Sequence, residues 1–289
     1  MKAEPVATVG DIEITRIREY EHQRQPEVLF DDALAVQDAV HDQRWVSEWC
    51  DADGRLRLTF QAFLIKTPEH LILLDPCIGN DKKCFIPGTP FRTTFLDDLR
   101  EAAGDLARID VIAYTHLHLD HVGWSTHLVD DRWVPTFPWA RHIIVGDEWE
   151  HWDRGHDPST DYDRAVDISI RPLLEDELVD LVDADHSIAP GVRLRPTPGH
   201  SPGHVSVAVS SGGDEAFITG DLIHHPVQLH EPRWPLRADH DVARGADARS
   251  GIVEELAGGP VLLIGTHFAG RCAGHIERDS GGHRFYPVS

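Results

Sequence analysis

The chain has 289 residues, 27 of them basic and 49 acidic, for a net charge of −22 with its 20 histidines neutral. That field repels phosphate backbones and anionic membrane surfaces, so nucleic-acid and membrane partners are disfavoured. No segment approaches the length of a membrane span and the N-terminus has no signal-peptide core, so a cytoplasmic protein is expected.

In chain order, short apolar runs bounded by turn residues predict strands over 10–17, 61–67, 70–76, 109–115, 142–146, 191–198, 204–211, 215–221 and 260–267. The stretch TPEH at 67–70 joins two of them as a hairpin. A helix is predicted over 92–104, with Phe95, Leu99 and Ala103 on one face and Gly104 as its stop, and another over 238–259. Helical turns are predicted over 147–155 and 172–182. Residues 20–60 are polar, carry Trp45 and Trp49 and have no clean period; an arm, a lid and a dimer contact all suit them. Strands interleaved with helices, without linker or repeat, predict a single α/β domain over 1–289. The cysteines Cys50, Cys77, Cys84 and Cys272 lack CxxC spacing and are read as reduced thiols.

The segment 115-THLHLDHVGW-124 follows the predicted strand IDVIAYT, in the loop where open α/β sheets place their sites. His116 and His118 are two apart, so extended backbone projects them to one side, where they can share an ion; Asp120 and His121 can serve a second. Three more candidates sit at strand ends beside glycine: His200 after Gly199, Asp221 after Gly220, and His267 two after Gly265. Imidazoles and carboxylates without thiolate suit zinc, and also manganese, iron or cobalt.

As an ordered set, HxHxDH at 116–121, PGHSPGH around His200, TGD ending at Asp221 and GTH ending at His267 resemble the metallo-β-lactamase superfamily over roughly residues 60–270. The resemblance implies an αββα sandwich of two mixed sheets flanked by helices, with a binuclear site at one edge. It assigns His116, His118 and His200 to the first divalent metal, Asp120, His121 and His267 to the second, and Asp221 to both, with Zn2+ the first choice. Homodimerisation is a further expectation at family level. Aspartate at 221, where the best-known β-lactamases have cysteine, matches the branch of lactonases, thioesterases, phosphodiesterases and organophosphate hydrolases. The stretch GDLIHHPVQL resembles the corresponding loop of the methyl-parathion-hydrolase and aryl-ester lactonase group.

Two divalent ions, two carboxylates and a hydroxide leave a centre of about +1, and metal coordination brings the pKa of water down towards roughly 7. A binuclear hydrolase acting on a small neutral, fairly apolar lactone or aryl or alkyl ester is the leading expectation. Phosphotriester hydrolysis and hydrolytic dehalogenation are close alternatives. An RNA-processing nuclease is disfavoured by the charge, a di-iron redox protein by His118 standing where such relatives have glutamate, and a non-catalytic binding role by the intact ligand set.

Asp120 is a candidate proton carrier. His224 stands three residues after Asp221, where many lactonases of the superfamily carry tyrosine, and is a second candidate. Trp124 replaces the second glycine of DHxGG and suggests an aromatic wall, to which Trp133, Phe137, Trp139, Trp149, Trp152, Trp234 and Phe268 could add, although for each of these seven the core is the favoured reading. The GxSxG match at 199–203 is rejected as a nucleophile elbow, because Pro202 after Ser201 has no N–H for an oxyanion hole.

Overall fold

The computed structural model describes residues 3–82, 92–279 and 281–288. In chain order, β1 (Ala3–Val9), β2 (Ile12–Arg24), β3 (Leu56–Lys66), β4 (Leu71–Leu74) and β5 (Val111–Ala113) are followed by the ribbon β6 (Thr126–Val129) and β7 (Arg132–Pro135), then β8 (Arg141–Val145) and β9 (Val179–Val182). Apart from the ribbon, these form one mixed sheet of order β1-β2-β3-β4-β5-β8-β9. The second sheet takes β10 (Ser187–Ala189), β11 (Val192–Pro196), β12 (Val205–Ser211), β13 (Asp214–Ile218), β14 (Leu262–Ile264), β15 (Ala273–Asp279) and β16 (Gly282–Pro287) in sequence. The helices are α1 (Pro26–Leu29), α2 (Ala33–Asp42), α3 (Phe95–Ala103), α4 (Leu119–Val122), α5 (Gly146–Arg154), α6 (Asp161–Ser169), α7 (Arg171–Glu175) and α8 (Val242–Leu256).

The expected αββα layering is what forms. The run FQAFLIK of β3 lacks alternation because both of its faces are covered. Phe63 and Ile65 share an apolar layer with Val192, Val207 and Val209 of the second sheet, whereas Ala62 and Leu64 pack with Phe95 and Leu99 of α3. Strands β4, β5 and β8 run parallel. So do β13 and β14, and β11 shares their direction because both it and β13 are antiparallel to β12. The carboxyl ends of these strands therefore supply loops to one edge. Hydrogen bonds from Val205 N–H to Thr115 O (2.9 Å) and from Thr59 N–H to His267 O (3.0 Å) tie the two sheets together there.

Several predicted bounds shift for local reasons. The helix expected over 238–259 begins at Val242, because the Asp241 side chain accepts from Arg244 N–H as an N-cap. The helical reading of 172–182 is corrected: α7 ends at Glu175, Glu177 turns the chain at φ 56°, and Val179–Val182 pairs parallel to β8. The hairpin at 67–70 forms, with Thr67 N–H donating to His70 O at 2.9 Å. Cys50, Cys77 and Cys272 are free, and Cys84 lies outside the described residues. Among the described residues no helix is long and apolar enough to cross a membrane.

Residues 20–60 continue β2 to Arg24 and then wrap through α1, α2 and a 3-10 turn. Phe30, Val36, Ala39, Val46 and Leu56 form a small core with Val227 and Leu236, which belong to the segment following Asp221. This region is packed against the site's own loops.

Glu19 of β2 is buried and anchors the loop after β4. It accepts from Ile78 N–H (2.8 Å), Gly79 N–H (3.3 Å), Thr93 Oγ1 (3.1 Å) and Trp124 Nε1 (2.6 Å). Burial pushes its carboxyl pKa up against these four donors. Replacing Glu19 by alanine strands buried donors on three segments, so Glu19→Ala is expected to lower unfolding stability by roughly 3 kcal/mol in urea titration.

Candidate metal centre

The loops at this edge bring together the residues singled out by spacing. His116 and His118 follow β5, Asp120 and His121 lie on the short α4, His200 follows β11, Asp221 follows β13 and His267 follows β14. Donor atoms of His116, His118, His200 and Asp221 lie within 4.8 Å of one another, as do those of Asp120, His121, Asp221 and His267.

Asp221 is common to both groups and divides its oxygens between them. Oδ2 lies 3.3 Å from His200 Nε2 and 3.7 Å from His116 Nε2, while Oδ1 lies 2.9 Å from His267 Nε2 and 3.1 Å from His121 Nε2. Asp120 Oδ2 stands 3.7 Å from His121 Nε2 and 3.6 Å from His267 Nε2, completing the second group. His118 Nδ1 lies 2.9 Å from His200 Nε2 in the first.

These donor sets fit divalent cations. His116 Nε2, His121 Nε2 and Asp221 Oδ1 are buried without a hydrogen-bond partner, although Asp221 Oδ1 has imidazole nitrogens within 3.1 Å. The nitrogens are close but misaligned for hydrogen bonding. A tetrahedral zinc with bonds of about 2.05 Å spaces its donors roughly 3.3 Å apart, which falls among the separations seen here.

The outward ring nitrogens of His116, His200 and His267 are hydrogen-bonded, which sets tautomer and orientation, whereas His121 Nδ1 faces Asp75 without an aligned hydrogen bond. His116 Nδ1 is 3.0 Å from Thr115 Oγ1, His200 Nδ1 is 3.1 Å from Asp239 Oδ1, and His121 Nδ1 is 3.0 Å from Asp75 Oδ2. His267 Nδ1 donates to Thr59 O at 3.0 Å. His204 Nδ1 donates to Thr197 O at 3.0 Å, and its Nε2 accepts the N–H of Asp221 at 2.9 Å, fixing the shared carboxylate. Gly220 is required beside it: at φ 54°, a Cβ there would stand 2.7 Å from His204 Nε2.

Four buried residues of this outer layer did not emerge from the motifs. Asp75, at φ 52°, accepts from both N–H and Oγ1 of Thr115, each at 2.8 Å. Glu148 of α5 accepts from Leu117 N–H (3.0 Å), Gly203 N–H (3.0 Å), Trp152 Nε1 (2.9 Å) and Ser201 Oγ (2.6 Å), clamping two ligand loops together. Arg249 of α8 lies 3.4 Å from Asp239 and donates to Pro232, Leu222 and Trp234 carbonyls. Asp75 carried a usable signal, since it sits at the end of a predicted strand just as Asp221 does. Glu148, Asp239 and Arg249 offered none, because exposed helices and loops carry the same residue types. Ser201 is occupied as a donor to Glu148, in keeping with its rejection as a nucleophile.

Electrostatically the centre is organised around Asp221. Burial opposes its charge, but His121, His267, His224 and His116 outweigh burial and hold its pKa well below the usual carboxylate range. Burial and neighbouring imidazoles push His116 and His118 down. His121 and His267 are raised against their burial by Asp221 and Asp120, and His200 is raised to about 9 against its burial by Asp221 and Asp239.

His224 also reaches the centre, with Nε2 3.1 Å from Asp221 Oδ2 and its ring stacked on His267. A cavity of about 200 Å³ opens over these residues, lined by His22, Arg24, Val28, Leu29, Leu58, Phe60, Tyr162 and Ala238 as well as the centre itself. Its aromatic wall is Phe60 and Tyr162. The wall anticipated from Trp124 is corrected, since Trp124 stacks on Phe95 and bonds Glu19; Phe137 and Phe268 are core, the reading favoured for them, and Trp234 packs on Phe30. Trp152 comes nearest, with its ring 5.7 Å from His118.

A family model described as the metallo-beta-lactamase superfamily matches residues 61–267, the span that holds every ligand candidate. The chain belongs to this superfamily. Among its superfamily relatives, the probable metallo-hydrolase YybB of Bacillus subtilis is 25% identical over 219 residues, covering 75% of this chain and 84% of that protein. The probable metallo-hydrolase Rv2300c of Mycobacterium tuberculosis is 26% identical over 195 residues, and the match spans 58% of its length.

Solved structures share the fold. The hydrolase AbOPH in the beta lactamase superfamily superposes with a TM-score of 0.82 at 22% identity, covering 100% of this chain and 98% of that one. AidC, described as a dizinc quorum-quenching lactonase in complex with a product, superposes with a TM-score of 0.79 at 20% identity, covering 99% of this chain and 97% of that one.

Asp239 holds His200 by a single contact and is itself no ligand candidate. Asp239→Ala is expected to weaken divalent-metal affinity roughly 10- to 100-fold, read by competition with a chromogenic chelator.

Proposed function

We propose that this metal-dependent hydrolase opens small, largely apolar lactones or carboxylic esters at a binuclear centre bridged by Asp221. The observation that carries the reading is the division of Asp221, one oxygen facing each donor set, directly beneath a cavity walled by Leu58, Phe60, Leu29 and Val28. The likeness to AidC, described with the product N-hexanoyl-L-homoserine, supports a substrate of this kind.

His116, His118 and His200 would hold one cation and Asp120, His121 and His267 the other, with Zn2+ the first choice among metals that suit imidazole and carboxylate. Cations there supply Lewis acidity and lower the pKa of coordinated water towards roughly 7. The chain's own groups do the rest. Asp221, 4% exposed, keeps the donor sets in register, the outer carboxylate Asp239 keeps the His200 lone pair directed inward, and Asp75 holds Thr115 beside His116. Asp120, at 14% exposure, is the carboxylate of the centre most open to the cavity, placed to take and return a proton. His224 presents Nε2 beside Asp221 and can donate to a substrate oxygen. Leu58, Phe60 and Tyr162 displace water around the scissile group.

On a panel of lactones, aryl and alkyl esters, phosphotriesters and haloaromatics, the highest kcat/KM is expected among lactones or esters. Turnover should vanish with a chelator and return with zinc, manganese or cobalt. Asp120→Asn should lower kcat by roughly 10²- to 10⁴-fold and His224→Ala by about 10²-fold, with metal content measured in parallel. A phosphotriester or haloaromatic as best substrate would overturn the assignment.

A further inference from the structure

The cavity contains one feature that an apolar ester does not need. Arg24, at the end of β2, lines it with a half-buried side chain. Among the described residues its guanidinium has no ion pair and no hydrogen bond, in a chain where acids outnumber bases 49 to 27. Arginines nearby are satisfied: Arg57 by Glu21 at 2.6 Å and Arg271 by Glu48 at 2.6 Å. An arginine left unpaired in so acidic a chain, on the wall of a cavity whose own carboxylates, Asp120 and Asp221, are engaged with the imidazoles of the centre, is matched to an anion from outside the chain.

Its position relative to the centre follows from strand geometry. Tyr20, His22 and Arg24 alternate onto one face of β2, opposite Phe60, Leu58 and Leu56 of β3. His22 packs on Phe60 with ring centroids 4.6 Å apart, and Phe60 packs on His267 at 5.6 Å. One strand repeat, about 6.7 Å, then separates His22 from Arg24. The wall thus runs from the donor cluster, across the aromatic ring of Phe60, to a free guanidinium. Burial, with help from Arg24 and His267, pushes the His22 pKa down to about 3, so Arg24 is the cation on this wall at neutral pH.

We propose that Arg24 is a specificity residue that selects substrates carrying a carboxylate a short apolar chain away from the scissile ester or lactone. The planar, two-pronged guanidinium pairs best with a carboxylate. A monoanion also suffers less than a phosphate dianion from the −22 field. This rests on the reading of the centre as one that opens esters or lactones, and changes the neutral substrate expected from sequence to an amphipathic one.

The test uses metal-loaded wild type, Arg24→Gln and Arg24→Lys with two matched pairs of compounds. Monomethyl adipate and methyl hexanoate, as substrates, differ only in the distal carboxylate; adipate and hexanoate, as ligands read by calorimetry, differ in the same way. In Arg24→Gln the kcat/KM preference for monomethyl adipate over methyl hexanoate is expected to fall roughly 10- to 100-fold, mainly through KM, with Arg24→Lys in between. The affinity ratio of adipate to hexanoate should fall by a similar factor. Ratios unchanged in Arg24→Gln, with thermal melting showing the variant folded, would overturn the proposal. If wild type hydrolyses neither ester, the ester reading fails, and the calorimetric ratio alone decides the role of Arg24.

Discussion

The centre depends on one costly placement: the carboxylate of Asp221 is held almost fully out of water amid imidazoles from four loops. A buried charge is tolerated only when it is compensated at close range. Here compensation comes from His116, His121, His200, His224 and His267 at 2.9 to 3.7 Å. The geometry that compensates Asp221 also divides its two oxygens between two donor sets. The fold satisfies this by ending parallel strands of both sheets at one edge and by using Gly220 to let His204 grip the Asp221 amide.

Around that carboxylate lies a second layer whose members come from different elements. Asp75 follows β4, Glu148 begins α5, and Asp239 is backed by Arg249 of α8. Each of these acids is buried and accepts from or contacts a group on a ligand loop, so the loops inherit the rigidity of the sheets. Glu19 extends the principle outward by holding the loop that carries Asp75. The wall of the cavity has a different origin. It is built by β2, β3 and α1, and the apolar neighbours of α1 pack on the segment after Asp221, so the cavity wall and the donor groups share one framework.

Much of this was legible in the chain because few residue types can serve as metal donors. His116, His118, Asp120, His121, His200, Asp221 and His267 stand in recognisable order, beside glycines, at the ends of apolar runs, and the structure gathers them within a few ångströms. Apolar continuity gave the central strands for a related reason: strands covered on both faces leave no room for polar residues. Legibility stopped where identity is permissive. Val179–Val182 read as helix because nothing in its composition announced the φ of 56° at Glu177 that turns the chain into a strand. The ribbon β6–β7 went unread, although the pair Asp130 and Asp131, both at positive φ, is a hairpin signal. Residues 20–60 had no period because they wrap a loop, and a wrapping segment is patterned by its partner. The aromatic wall was misplaced for the same reason: a tryptophan near a ligand in sequence, such as Trp124, can face the opposite layer.

The claim on which the account turns is that Asp221 is shared by two cation sites, and metal content per chain measures it directly. Elemental analysis of wild type and Asp221→Ala, each reconstituted with zinc and freed of loose metal, is the decisive comparison. Close to two zinc ions are expected in the wild type, one for each donor group, with a loss from both sites in the variant. Equal content in the two proteins, or content near zero in the wild type after reconstitution, would contradict it.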